Sequence, residues 1–265
     1  MDLNLRGRVA VITGGSVGIG LAVAEGLAAE GVDLLLAARD GERARAEAER
    51  IASAHGVRAQ AVAADVATAE GCARVVAETE SAFGGADILI NNAGAGSNET
   101  ILEAPDEKWQ HYWDLHVMAA VRLSRGLAPG MIRRAKGGVI LNNASICAAQ
   151  PLWYEPVYNV TKAALVMFSK NLANELIPHG IRVNALNLGL VLTPDWVRTA
   201  TKLTEGTGRG WQDYIQGIAD EHAPIKRFAS PEEVAAFFVF LCSDKASYSV
   251  GSTYYVDGGM LRTVG

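Results

Sequence analysis

The 265-residue sequence predicts an α/β fold: one domain, residues 1–265, built as a doubly wound parallel sheet of about seven strands flanked by helices. Three observations predict it. Short apolar, β-branched runs alternate with helical stretches along the whole chain. A glycine-rich turn follows the first of those runs at once. No linker, internal repeat or low-complexity tract divides the chain.

The elements follow in order. Residues 8–13 (RVAVIT) read as the first strand, and the alanine-rich residues 21–30 as a helix after the glycine turn. Residues 32–37 return as a strand, and 41–55 carry alternating charges at helical spacing. A third strand over 58–63 and a helix over 69–83 come next. Strands four and five are expected over 87–90 and 139–142, with long helices over 109–134 and 157–177. Residues 181–186 and 253–256 read as strands six and seven. Residues 193–222 show no strand and hold Gly206, Gly208 and Gly210, so a mobile helical lid over a site is expected there.

Composition narrows the partners. The chain is 49% hydrophobic and 20% charged, enough for a sizeable core. Its net charge of -5 argues against a nucleic-acid surface. Cys72, Cys147 and Cys242 are scattered, with no C-x-x-C, which reads as reduced thiols in a cytoplasmic protein; no metal is expected. The amino terminus runs straight into a strand without a signal-like segment, and no run reaches the roughly 18 apolar residues of a membrane helix. A soluble protein with no membrane partner is expected.

The turn Thr13-Gly14-Gly15-Ser16-Val17-Gly18-Ile19-Gly20 joins a strand to a helix start. Glycines there permit positive φ and close backbone approach, and a new helix offers N–H groups and its dipole to a pyrophosphate. Gly14, Ser16, Val17, Gly18, Ile19 and Gly20 are therefore candidate dinucleotide ligands. The G-x-x-x-G-x-G spacing differs from the G-x-G-x-x-G of other Rossmann folds, and by itself it could serve the turn alone. The tip of strand two chooses the nucleotide. An acid there would bind the ribose 2′-OH of NAD, and an arginine would pair with the 2′-phosphate of NADP. The tip reads Ala37-Ala38-Arg39-Asp40, and small Ala38 followed by Arg39 favours NADP(H). NAD(H) stays open, with Asp40 on the ribose and Arg39 a solvated charge. Asp65 and Val66, after strand three, are candidates for the adenine end, or Asp65 for a helix N-cap.

The chemistry reads from Tyr158 and Lys162, four apart and so one turn from each other on a helix face, with Ser145 thirteen residues upstream of the tyrosine. Bringing a phenol from a pKa of about 10 to about 7 takes roughly 4 kcal/mol. One ammonium about 4 Å away, at an effective dielectric of about 20, supplies that order of energy. The pair suffices for an acid/base catalyst.

These residues, with Asn91-Asn92-Ala93-Gly94, Asn184-Ala185, Thr193, Pro231-Glu232-Glu233-Val234-Ala235 and Val256-Asp257-Gly258-Gly259, make the chain resemble the short-chain dehydrogenase/reductase family in its form of about 250 residues, which includes 3-oxoacyl-carrier-protein reductases. The resemblance covers essentially the whole chain. It implies that Tyr158 is the general acid/base, that Lys162 lowers its pKa and holds the nicotinamide ribose, and that Ser145 orients the carbonyl. It implies cofactor contacts from Asn92, Ala93, Gly94, Gly189 and Thr193. The implied reaction is hydride transfer between nicotinamide C4 and a carbonyl carbon. An NADP(H)-dependent oxidoreductase interconverting a ketone and a secondary alcohol is thus expected. An NAD-dependent alcohol or sugar dehydrogenase, a 3-oxoacyl-carrier-protein reductase and a non-enzymatic nucleotide sensor are the alternatives.

Two positions depart from the family pattern. Where the family completes its tetrad with an asparagine, this chain has His116, a candidate relay residue or a packed histidine. The family's Pro-Gly after strand six is Leu188-Gly189, which is expected to loosen that turn. Trp153, Tyr154, Trp196, Trp211 and Tyr214 are candidate walls for the substrate, or packing within the lid. Arg133, Arg134 and Lys136 are a candidate carrier-protein patch, although Asn174 stands where those reductases often carry arginine. The apolar helices 109–134 and 157–177 and the stretch 234–242 resemble faces that the family pairs into a homotetramer, a dimer of dimers.

Overall fold

The computed structural model describes residues 2–152 and 155–262. Seven strands, β1 (Val9–Thr13), β2 (Asp33–Ala38), β3 (Ala59–Ala63), β4 (Ile88–Asn91), β5 (Gly138–Asn143), β6 (Ile181–Leu188) and β7 (Thr253–Val256), form one sheet. Every pairing is parallel, in the order β3-β2-β1-β4-β5-β6-β7. The helices are α1 (Gly18–Ala29), α2 (Gly41–His55), α3 (Ala69–Phe83), α4 (Asp106–Trp113), α5 (Ala119–Arg134), α6 (Pro156–Leu176), α7 (Pro194–Thr204), α8 (Trp211–His222) and α9 (Pro231–Cys242).

Both faces of the sheet are covered, which is why its strands are apolar at nearly every position. Alternate side chains go to opposite sides. Ala10, Ile12, Leu34 and Leu36 pack with Leu27 of α1 and Phe238 of α9. Val11, Leu35 and Leu89 pack with Val75 of α3 and Leu123 and Leu127 of α5. Burying each of the larger side chains contributes roughly 1.5–3 kcal/mol.

Topology positions the site. From β1 the chain steps outward to β2 and β3, then returns to β4 on the other flank of β1. Connections that diverge from adjacent strands leave a crevice beyond their carboxyl ends, between β1 and β4.

Three expected boundaries shift. Helix α1 begins at Gly18, inside the glycine turn, three residues before the predicted start. The predicted helix 109–134 instead runs through residues 106–134 with a π-helical turn, Asp114–Met118, between α4 and α5. Such a turn inserts one residue into the helix and re-aims the side chains on it, here His116. Strand β6 continues through Leu188, which pairs with Val256 of β7. Leu188 is buried, and a Cβ on Gly189 would lie 2.7 Å from the Asp257 Cα. The turn after β6 is therefore pinned by β7 instead of by a proline ring, against the expected loosening.

Candidate active site

The cofactor end is stitched together by side chains from three strand tips. Thr13 Oγ1 accepts the backbone N–H of Asn92 at 2.9 Å and of Ala93 at 3.0 Å. The Asn92 amide donates to Thr13 O at 2.9 Å, and Asn143 Nδ2 donates to Asn92 Oδ1 at 2.9 Å. The turn is packed against this frame. A Cβ on Gly20 would lie 2.2 Å from Gly14 O, and one on Gly14, at φ 65°, would lie 2.9 Å from the Asn92 amide nitrogen. Only glycine fits either position. Ser16 is buried, while Val17 is the N-cap of α1, makes no side-chain cap, and the first turn holds no acid. The leading amides of α1, including those of Gly18, Ile19 and Gly20, are thus open to an anion. Gly18 also lies beside Thr193, the N-cap of α7, since its Cβ position is 3.5 Å from Thr193 Cγ2.

At the tip of β2, Ala38 is buried and Arg39 exposed. Asp40 is committed elsewhere: it is the N-cap of α2, and its Oδ1 accepts from Arg43 N at 3.0 Å. That bond counts against Asp40 as the ribose ligand. Asp65 lies after β3, beside the β2 tip, and accepts from Ala67 N at 3.0 Å in a local turn. The N-cap of α3 is Thr68, not Asp65. Val66 is buried next to it.

The chemical end lies at the tip of β5 and the start of α6. Ser145, buried, caps a short 3-10 turn and accepts from Cys147 N at 3.2 Å. Tyr158 is in the first turn of α6, behind Pro156, and Lys162 follows one turn later. The Lys162 Nζ is 5.3 Å from the Tyr158 ring centroid and donates to Asn143 O at 2.7 Å. Burial pushes the lysine pKa down to about 8, with the Cys147 and Glu155 charges pulling the other way. At neutral pH the amine still carries its proton.

His116 is brought to the same place by the π turn. Its Nε2 accepts the Ala95 N–H at 3.3 Å, which leaves the ring proton on Nδ1, 2.9 Å from Thr161 Oγ1. That hydroxyl in turn donates to Tyr158 O at 3.0 Å. The ring packs edge-on against Tyr158 at 5.4 Å and 90°. A Cβ on Gly94 would lie 3.3 Å from its Nε2 and 3.7 Å from the Lys162 Nζ. Burial, and then the Lys162 charge, hold the imidazole well below its ordinary pKa. It is neutral, with both nitrogens engaged.

Other expected groups have packing or pairing partners of their own. Trp196, Trp211 and Tyr214 pack with Ala200, Ile215 and Phe228 inside the lid, and Trp196 meets Phe228 edge-on at 5.2 Å. These aromatics form part of the small core shared by α7 and α8. Trp153 and Tyr154 lie outside the described residues. Arg134 folds back to donate to Ala86 O and pairs with Asp87 at 3.3 Å, which removes it from any carrier-protein patch.

Conversely, Asn143 and Thr161 went unnoticed in the sequence. Asn143 links Lys162 to Asn92, and its neighbour Asn142 accepts from Asn91 and donates to Ser169, both at 2.8 Å. Two asparagines ending an otherwise apolar buried strand were the available signal.

The profile of a family described as enoyl-(acyl carrier protein) reductase matches residues 14–261. The 3-oxoacyl-(acyl-carrier-protein) reductase FabG of Aquifex aeolicus is 34% identical, over 98% of this chain and 100% of that protein. The L-xylulose reductase of Bos taurus is 35% identical, over 99% and 100% respectively. The chain belongs to the short-chain dehydrogenase/reductase family. It is accordingly an oxidoreductase of that family, acting on CH–OH and C=O groups. Among solved structures, this short-chain dehydrogenase/reductase is similar to the L-sorbose reductase of Gluconobacter frateurii complexed with NADPH and L-sorbose, at 64% identity, full coverage of both chains and a TM-score of 0.98.

Proposed function

We propose that this protein is an NADPH-dependent ketose reductase that converts the keto group of L-sorbose, or a closely similar ketose, to a secondary alcohol. The observation that carries the reading is the 64% identity over the full length to a reductase bound to that cofactor and that sugar. The residues fit the cofactor. The tight glycine turn, with no room for a side chain at Gly14 or Gly20, the open amides of α1 and the exposed Arg39 suit a pyrophosphate and a 2′-phosphate. When bound, NADPH supplies a hydride to the carbonyl carbon.

The chain's own groups do the rest. Ser145 Oγ and the Tyr158 hydroxyl donate hydrogen bonds to the carbonyl oxygen and stabilise the charge that develops on it. Tyr158 delivers the proton to that oxygen. The Lys162 ammonium, held by Asn143 O, favours the phenolate left behind. His116 is a positioning residue in this reading. Neutral and bonded at both nitrogens, it clamps Ala95, in the cofactor loop, to Thr161 and thereby to the turn that carries Tyr158.

The same reading takes the chain as one domain with residues 193–222 as a lid, in a homotetramer. Exposed Val160 and Met167 on α6 and Phe237 and Phe240 on α9 support the tetramer. Three buried free thiols support a cytoplasmic location, and among the described residues no helix is long and apolar enough to cross a membrane.

The test follows NADPH and NADH absorbance with a panel of ketoses and simple ketones. Turnover of L-sorbose with NADPH is expected, together with a loss of about 10²–10⁴-fold in Tyr158→Phe that leaves NADPH binding intact. Tight NADPH binding with no turnover of any ketose would refute the reading.

A further inference from the structure

The loop after β3 and the π turn that carries His116 belong to separate segments, and the Arg122 side chain joins them. Residues 65–67 run from β3 toward α3, and their carbonyls are taken in succession. Asp65 O accepts from Thr68 Oγ1 at 2.9 Å, and Val66 O from the Cys72 thiol at 3.1 Å. Thr68 caps α3 and Cys72 lies in its first turn, so these two bonds are local. Ala67 O instead accepts from Arg122 Nη1, at 3.0 Å, across the fold from the first turn of α5.

The other half of the guanidinium reaches the π turn. Arg122 Nη2 donates to Asp114 Oδ1 at 2.8 Å, and the two side chains are only 20% and 23% exposed. Asp114 opens the π turn, two residues before His116, and its second oxygen accepts from Gln110 Nε2 at 2.8 Å. The inserted residue interrupts the regular ladder of the helix, and a carboxylate bonded on both sides fixes where the interruption falls. Arginine suits this bridge. Its planar fork holds two partners in set directions, whereas a lysine is a point charge on a flexible stem. From the π turn the chain of contacts continues through His116 to Ala95 and Thr161, and from Thr161 to Tyr158 O.

We infer that Arg122 is a positioning residue for the reaction: by bridging Ala67 to Asp114 it holds the loop at the adenine end of the cofactor in register with the π turn beside Tyr158. This rests on the NADPH-dependent ketose-reductase reading, with Asp65 and Val66 at the adenine end, and goes beyond it by tying that end to the chemistry.

The experiment compares Arg122→Met, Arg122→Lys and Asp114→Asn with wild type, reading NADPH affinity by fluorescence, kcat and KM with L-sorbose, and the melting temperature. Arg122→Met cuts both contacts, so NADPH affinity and kcat should each fall by about 2- to 30-fold. Asp114→Asn keeps the bond to Ala67, and there kcat should fall with NADPH affinity unchanged. In Arg122→Lys the ammonium pairs with the Asp114 carboxylate, so kcat should recover while NADPH affinity stays low. An arginine that served stability alone would lower the melting temperature and leave these ratios unmoved, and that result overturns the inference. Should Arg122→Met fail to fold, normal kcat in Asp114→Asn overturns it. Should another ketone turn over in place of L-sorbose, the sorbose assignment fails and the ratios with that ketone decide the role of Arg122. Silence with every ketone overturns both.

Discussion

Glycines punctuate both the turn after β1 and the connection from α7 to α8, and they answer to different constraints. In the turn there is no room: Gly20 is pressed against the Gly14 carbonyl and Gly14 against the Asn92 side chain. In that connection Gly206 and Gly208 stand at φ 73° and 75°, and a Cβ on either would meet nothing within 4 Å. The first region is fixed by contacts across three strands, from Thr13, Asn92 and Asn143. The second holds only a small core of its own. A tightly packed cofactor turn beside a segment with a small core of its own suits an enzyme that must hold a dinucleotide in one place.

Substitutions can break this contrast or sharpen it. The largest effect is expected from Gly20→Ala. With its new Cβ 2.2 Å from a carbonyl oxygen, the variant must move backbone. A loss of about 3 kcal/mol or more in unfolding free energy, with NADPH binding abolished, should appear in denaturant titration and fluorescence. A variant that binds NADPH normally would mean the turn is not packed as described.

Lys162 lies in the rigid region too, and its burial has a cost. Its pKa falls from 10.5 unfolded to about 8 folded, so between those values the folded protein binds fewer protons and stability rises with pH. Below about 8 the full penalty of about 3 kcal/mol applies. Lys162→Met removes that penalty and forfeits the bond to Asn143 O, worth about 1 kcal/mol. The variant should therefore melt higher than wild type at pH 7, with the gap closing as the pH rises toward 10.5. A gap independent of pH, or of opposite sign, would contradict the burial of a charged amine there.

Smaller effects separate Arg39 from Asp40. Arg39→Ala should lower the preference for NADPH over NADH by about 10- to 100-fold at unchanged stability. Asp40→Ala should lower stability by about 1 kcal/mol through the lost cap and leave that preference alone. The reverse pattern would return the nucleotide choice to the acid. The smallest effect belongs to the lid. Gly208→Ala forces alanine into a left-handed conformation at about 1 kcal/mol, and it should alter the KM for the ketose without altering NADPH affinity.

How much of this was legible in the sequence divides along similar lines. The sheet and its helices were, because period-two apolar runs and alanine-rich or charge-alternating stretches are local signals. The glycine turn, Ser145 and the Tyr158–Lys162 spacing were legible for the same reason, the last because a helix puts residues four apart on one face. The π turn was not, since residues 109–134 read as ordinary helix and the extra residue shows only in how His116 meets Thr161 and Ala95. For Trp196, Trp211 and Tyr214 the sequence left a substrate wall and local packing equally open. The fold shows them clustered with Ala200, Ile215 and Phe228, residues that come together only when α7, α8 and the segment before α9 meet. The proline missing before Gly189 suggested a loose turn, and pairing with β7, far along the chain, supplies the restraint.

The sequence by itself determined the architecture, the glycine turn and the candidate acid/base pair of Tyr158 and Lys162, because each is written within a few consecutive residues. Only the tertiary structure decided what each polar group is committed to. Asp40 is spent on capping a helix, His116 is neutral and doubly bonded, and Asn143 holds Lys162. The physical reason is that a hydrogen bond or a charge acts through its partner, and these partners come from segments that meet only when the sheet assembles.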